Sequence, residues 1–251
     1  MPLSARAREW VRSIVQFALF LAVLSVAKMA IAEPYYVPSG SMEPTLLIGD
    51  ELLAAKYAYG YSTASLPVSI VLPSSERILG ALPERGDIVV FRAPGDRSQI
   101  WVKRVVGLPG DRIAMRAGRL WLNGEEVALT PDGTGPMETD NGTELKTPRY
   151  IETLPGNRQH AIFKITRDGP YDSMAEVTVP AGHVFVMGDN RDNSADSRVP
   201  VALGGVGMLP VDNLVGRVSR LVGSWDLATA AQPIWTWPSG LRLSRFFASV
   251  R

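Results

Sequence analysis

The sequence predicts a mostly β protein that follows a single N-terminal transmembrane helix. Residues 13 to 27 carry no charge, which is typical of a membrane segment. From Glu33 onward, short runs of alternating apolar and polar residues are separated by Gly and Pro, and this alternation predicts strands. With 251 residues and 46% hydrophobic content, the chain can bury one sizeable core or two modest cores after the anchor is subtracted.

The first element is the anchor, which we place at residues 13–32. About twenty helical residues rise ~30 Å, enough to cross the hydrocarbon core of a bilayer. Basic residues are concentrated on the N-terminal side, so residues 1–12 are expected in the cytoplasm and the rest outside; they are Arg6, Arg8 and Arg12. A cleavable signal peptide ending at Ala30-Ile31-Ala32 is the alternative.

The region after the anchor is expected to form two β lobes. Residues 33–111 and 183–220 would build the main lobe, and residues 112–182 would be inserted into it. The run Arg119–Ala128 predicts a hairpin closed by a type I′ turn at Asn123-Gly124.

Two further segments lack a clear strand pattern. Residues 131–149 are rich in Gly, Pro, Thr and Asp and are expected to be a long exposed loop. Residues 61–84 are expected to leave the main lobe as an excursion, because prolines interrupt them at Pro67, Pro73 and Pro83.

The C-terminal tail, residues 221–251, predicts a short amphipathic helix. Its apolar side chains follow the helical spacing i, i+3, i+4, i+7 and are Leu243, Phe246, Phe247 and Val250. This helix could lie on an anionic membrane surface or pack against the main lobe.

Composition excludes several classes of function. The 26 basic and 25 acidic residues argue against a nucleic-acid partner. The absence of cysteine excludes disulfides, thiolate catalysis and cysteine-bound metals. Only two histidines exist, His160 and His183, and the second lies in the alternating run 182–187, where a structural role is favoured. A Ser-His-Asp triad is therefore disfavoured, and a lysine base fits the sequence better.

Two runs carry the chemistry that we expect. Pro38–Leu46 places Ser41 on a turn, with Ser39 two residues earlier, which suits an exposed nucleophile with a nearby oxyanion donor. The strand-like run Gln99–Val106 places Lys103 on one face with apolar neighbours. To act as a base near pH 8, such a lysine needs a pKa lowered by roughly two units, or about 3 kcal/mol of desolvation.

A third run, Gly188–Arg198, is dense in turn-forming polar residues and predicts a loop that supports a site. A calcium site there is disfavoured, because Arg191 occupies the third position, where an EF-hand needs Asp or Asn. We expect no metal and no cofactor.

In this order, the three runs resemble those of type I signal peptidases, the membrane-anchored Ser-Lys serine proteases. The resemblance extends from about residue 15 to residue 220. It implies a Ser-Lys peptidase β fold, in which the main lobe is catalytic and a second β lobe is inserted. It further implies removal of signal peptides from exported preproteins after Ala-x-Ala-like sites, through an acyl-enzyme, at the outer face of the inner (plasma) membrane.

The resemblance also implies roles for individual residues. Ser41 would be the nucleophile and Lys103 the general base, with the Ser39 hydroxyl and the Ser41 N–H forming the oxyanion hole. Ser194 would orient the lysine, and Asp196 and Arg198 would support the site. The substrate pocket would be formed by Val37, Pro38, Met42, Leu46, Trp101 and Val102. Residues 199–208 depart from the family pattern and leave the edge of the site open.

Two alternatives remain at this point. A relative with the same chemistry could process pilin or conjugation subunits. A membrane-anchored β module without catalysis could bind envelope proteins instead. A signal peptidase would have signal-peptide-bearing preproteins and membrane lipid as partners. The non-catalytic module would bind envelope proteins.

Overall fold

The computed structural model describes residues 5–66, 70–139, 143–226, 229 and 232–250. It begins with helix α1 (Ala5–Ile31), which leads directly into the first strand. Among the described residues, no helix combines the length and the apolar character needed to cross a membrane. Residues 1–4 of the expected cytoplasmic segment, and the side chains of Arg8 and of positions 24–30, lie outside the described set.

A seven-stranded antiparallel sheet forms the main body, in the order β1-β2-β14-β3-β4-β12-β13. Its strands are β1 (Ala32–Tyr36), β2 (Asp50–Ala55), β3 (Ile88–Arg92), β4 (Ile100–Gly107), β12 (His183–Met187), β13 (Leu209–Pro210) and β14 (Leu214–Ser224). Strand β14 pairs with both β2 and β3, and its register shifts three times along the two pairings. Such irregularities increase the local twist and let a long strand bend the sheet.

The intervening strands form two smaller antiparallel sheets, ordered β11-β5-β6-β7 and β10-β9-β8. They are β5 (Arg112–Arg116), β6 (Arg119–Leu122), β7 (Glu125–Glu126), β8 (Ala128–Glu138), β9 (Glu144–Leu154), β10 (Arg158–Phe163) and β11 (Met174–Thr178). The mostly β prediction is confirmed. The insertion of residues 112–182 into the main lobe stays a prediction.

The predicted hairpin is confirmed. Leu122 pairs with Glu125 across the turn, and Asn123 and Gly124 have φ values of 56° and 88°. Two consecutive positive φ angles define the type I′ turn, which Asn-Gly adopts with little strain. This element follows from local chemistry alone.

The loop predicted at residues 131–149 is wrong, because most of this segment belongs to strands β8 and β9. Pro131 and Pro136 are tolerated because β8 is the edge strand of its sheet, where a missing N–H need not break the ladder. A register shift between Pro131 and Thr134 accommodates Gly133, which has φ 75°.

Residues 61–84 contribute no named strand within their described part, as the excursion predicts; Pro67 lies outside that part. The segment contains a 3-10 helix, Thr63–Ser65, and a bridge between Tyr61 and Ile78.

The amphipathic helix predicted for the tail is wrong. The described tail forms two 3-10 helices, Ile234–Gly240 and Leu243–Arg245, and then runs beside β14. Leu221 N donates to Ala248 O at 3.0 Å, and Arg245 binds the buried carboxylate of Asp50. Backbone pairing and this ion pair hold the tail on the main sheet, which is the packing alternative.

Candidate active site

Ser41 lies on a 3-10 turn, Gly40–Met42, a few residues beyond strand β1. Met42 is fully buried in the main core and anchors the turn from below. The Glu43 N–H closes the turn by donating to Gly40 O at 3.1 Å. The turn therefore holds Ser41, which stays partly exposed, over the buried Met42 side chain.

Lys103 reaches this serine from the middle of β4. Its Nζ lies 2.7 Å from Ser41 Oγ, and the residue is only 5% exposed. Burial lowers the pKa of Lys103 from 10.5 to about 8, although Asp196 and Asp189 oppose the change; Arg198 assists it. The lysine thus has a sizeable neutral fraction at moderately alkaline pH, and a neutral amine can accept the hydroxyl proton.

The polar loop after β12 forms the back of the site. Asp196 is bound in a bidentate manner by Arg198, at 2.9 and 2.8 Å, and also accepts a bond from Gly188 N at 3.0 Å. Although burial opposes it, Arg198 holds the pKa of Asp196 below its ordinary value. Asp196 and Arg198 therefore form a closed, buried ion pair behind Lys103.

Ser194 differs from its expected role. Its Oγ is buried and has no hydrogen-bond partner among the described residues, so the predicted bond to the Lys103 amine is not formed. It packs tightly against Gly188, where an added Cβ would lie 2.2 Å from Ser194 Oγ.

Arg104 and Thr45, whose roles sequence reasoning missed, complete the back of the site. Arg104 binds both carboxylate oxygens of Asp189, at 2.8 and 2.7 Å, and Thr45 donates to the same carboxylate at 2.5 Å. Arg104 follows Lys103 in a strand, so its side chain leaves on the opposite face. The signal was present, because an arginine in a buried strand requires an acidic partner.

Ser39 stands close to Ser41, with 3.4 Å between the two Oγ atoms. It is extended, with φ −137° and ψ 152°, and is exposed toward the cleft. A hydroxyl at this distance can reach the oxygen of a carbonyl attacked by Ser41.

A cleft of about 470 Å³ opens at the serine. Of the six expected pocket residues, Pro38, Trp101 and Val102 line it. Val37, Met42 and Leu46 do not; each is at most 1% exposed and belongs to the main core. The sequence analysis missed the other lining side chains, which are Tyr35, Tyr36, Leu52, Val90, Gln99, Ile100 and Ala195.

The segment at residues 199–208, which departs from the expected pattern, folds back on the site. Val206 is fully buried, and its N–H donates to Asp196 O at 3.1 Å. The extra residues therefore cap the loop that carries Asp196.

Comparisons with known proteins agree with this geometry. The family model described as signal peptidase, peptidase S26, matches residues 7–223. Signal peptidase I of Rickettsia typhi (strain ATCC VR-144 / Wilmington) is 35% identical over 254 residues, covering 94% of this chain and 93% of that protein. Signal peptidase I of Rickettsia canadensis (strain McKiel) is 34% identical over 260 residues, covering 97% and 93%.

Among solved structures, a signal peptidase I from Enterococcus faecalis V583 is 24% identical, with a TM-score of 0.31. It covers 55% of this chain and 97% of that chain. The chain belongs to the signal peptidase family, peptidase S26.

Proposed function

We propose that this protein is a signal peptidase I, an endopeptidase that removes N-terminal signal peptides from exported preproteins. Family membership supports the reaction. The observation that carries the mechanism is the 2.7 Å separation between Lys103 Nζ and Ser41 Oγ within a buried setting. A serine beside a desolvated amine forms the minimal nucleophile and base of a Ser-Lys protease.

In the proposed reaction, neutral Lys103 accepts the Ser41 proton while Oγ attacks the scissile carbonyl carbon. The resulting oxyanion is stabilised by the Ser41 N–H and the Ser39 hydroxyl. Protonated Lys103 then donates its proton to the leaving amine of the mature protein, and an acyl-enzyme remains. A water then gives a proton to neutral Lys103 and attacks the acyl carbon. Lys103 returns that proton to Ser41 Oγ as the ester bond breaks and the signal peptide is released.

We propose that the substrate binds in the cleft as an extended strand. Strand β1 ends the main sheet, and its outer edge has no partner strand among the described elements, so a peptide can pair with it. The cleft lining includes the apolar side chains of Ile100 and Val102 and the aromatic ring of Tyr35. Small side chains before the cut, as in Ala-x-Ala sites, fit this arrangement.

We further propose that residues 13–32 anchor the protein as a single span in the cytoplasmic (inner) membrane, with the N-terminus cytoplasmic and the catalytic lobe outside. Support comes from the sequence, because an uncharged stretch follows three arginines. Alkaline extraction of membranes tests this: an anchored chain stays in the pellet, and release into the supernatant contradicts the anchor.

Cleavage of a preprotein with an Ala-x-Ala site tests the enzyme activity. Detergent-solubilised full-length protein is compared with Ser41→Ala and Lys103→Met. Matched controls are Ser219→Ala and Lys146→Met, which alter an exposed serine and an exposed lysine on other strands. We expect mature product from the unmodified protein and both controls, and none from the two site variants.

If no preparation cleaves any of several preproteins up to about pH 9, where a lysine base is neutral, the proposed function is wrong. Cleavage limited to pilin or conjugation subunits would favour the specialised relative. Binding of envelope proteins without cleavage would favour the non-catalytic module.

A further inference from the structure

Asn190 makes two contacts with the turn that carries Ser41, although 150 residues separate it from Gly40. Its side-chain Nδ2 donates to Gly40 O at 3.0 Å, and its backbone N–H donates to Ser41 O at 3.1 Å. The residue is completely buried. One residue thus binds the carbonyl on each side of the Ser41 Cα.

The first contact has a consequence for the oxyanion hole. Gly40 C=O and Ser41 N–H belong to the same peptide group, which is planar and, when trans, directs the two bonds in opposite directions. A donor that fixes the position of Gly40 O therefore also fixes the direction in which the Ser41 N–H points. That N–H is the backbone donor of the proposed oxyanion hole.

The same carbonyl accepts a second hydrogen bond, from Glu43 N at 3.1 Å. Two donors on one carbonyl polarise the peptide group, and a polarised peptide is a stronger donor through its N–H. Asn190 therefore affects both the direction and the strength of the Ser41 N–H as a hydrogen-bond donor.

The loop holds Asn190 rigidly in this position. At Gly188 an added Cβ would lie 2.4 Å from Ser41 O, so the loop backbone touches the turn with no space to spare. Gly188 N is bound in turn by Asp196. The buried Asp196–Arg198 ion pair thus fixes the loop, and the loop fixes the Gly40–Ser41 peptide.

We propose that Asn190 is a positioning residue that orients the Gly40–Ser41 peptide toward the oxyanion. The inference rests on the proposed function and deepens it. A purely structural asparagine would affect stability alone, whereas a positioning residue affects the turnover number of folded enzyme.

The test compares kcat, KM and thermal stability of the full-length enzyme with those of Asn190→Ala and Asn190→Asp. The alanine removes the bond to Gly40 O. The aspartate keeps the size and the backbone contact but places an acceptor against that carbonyl. Asn193→Ala is the control, since Asn193 lies in the same loop with an exposed side chain.

We expect kcat to fall about 10- to 100-fold in both Asn190 variants, with KM changed less than threefold, because donor geometry matters most in the transition state. Asn193→Ala should match the wild type. In Asn190→Ala the midpoint of the pH profile should stay in place, since no charge near Lys103 changes. With Ser39→Ala as a second change, the losses should be less than additive, because both residues act on one oxyanion.

A folded Asn190→Ala enzyme with kcat within threefold of wild type would overturn the inference. A loss of rate that vanishes after correction for the folded fraction would also overturn it, as would a pH midpoint of Asn190→Ala that moves by more than one unit. An inactive wild type would refute the proposed function itself, which separates the two failures.

Discussion

The pH dependence of cleavage provides a direct test of Lys103 as the base. Burial lowers the pKa of its ammonium group from 10.5 to about 8. This corresponds to about 3 kcal/mol of differential stabilisation of the neutral amine. Because only the neutral amine can accept the Ser41 proton, kcat/KM should follow the neutral fraction of Lys103.

The expected curve has a specific shape. With a pKa near 8, about one tenth of the enzyme is competent at pH 7, half at pH 8 and roughly nine tenths at pH 9. The rate should rise about fivefold over the first interval and less than twofold over the second. A lysine with an ordinary pKa would instead give a nearly tenfold rise in each interval.

The assay measures kcat/KM for a peptide with an Ala-x-Ala site between pH 6 and 10, with protein stability followed in parallel. Lys103→Met should be inactive throughout. His183→Ala serves as the control, because His183 has its Nδ1 3.0 Å from Ala181 O and lies outside the cleft lining. A midpoint near pH 6.5 that is lost in His183→Ala, or a rate still rising tenfold per unit at pH 9, would refute Lys103 as the base.

Three other outcomes are expected. Ser39→Ala should lower kcat about 10²-fold with little change in KM, because one oxyanion donor is lost; unchanged kcat in steady-state assays would contradict its role. Lys103→Met should raise the free energy of unfolding at pH 7 by up to about 3 kcal/mol in denaturant titrations, because the cost of a desolvated ammonium is fully present below pH 8; the gain should shrink toward pH 10.5. Burial raises the pKa of Glu43 from 4.5 to about 7, so stability should fall as pH rises between these values, and Glu43→Gln should remove this slope; an unchanged slope would exclude Glu43 as its source.

Local chemistry made part of the structure predictable. The turn at Asn123-Gly124 follows from two residues that tolerate positive φ. The β4 strand follows from its alternating pattern, and that pattern placed Lys103 on one face. The family resemblance then joined Lys103 to Ser41, 62 positions earlier, which no local pattern could do.

Tertiary packing determined the features that sequence reasoning missed. Strand β8 forms despite its prolines because it lies at an edge, and edges are not visible in a sequence. Leu46 and Val37 were expected in the substrate pocket, yet both are buried beneath it. An apolar residue next to a site can face the substrate or the core, and only the fold decides which.

The charges behind Lys103 explain how a lysine can be neutral beside two carboxylates. Unpaired, Asp189 and Asp196 would favour the ammonium form, and both do raise the pKa of Lys103. Each carboxylate is instead bound through both oxygens by its own arginine, Arg104 or Arg198, so little net negative charge acts on the amine. Desolvation therefore decides the outcome, and it favours the neutral base. Because Arg104 and Arg198 offset their charge, the two carboxylates can lie behind the site without keeping Lys103 protonated. Lys103 must be neutral to accept the Ser41 proton.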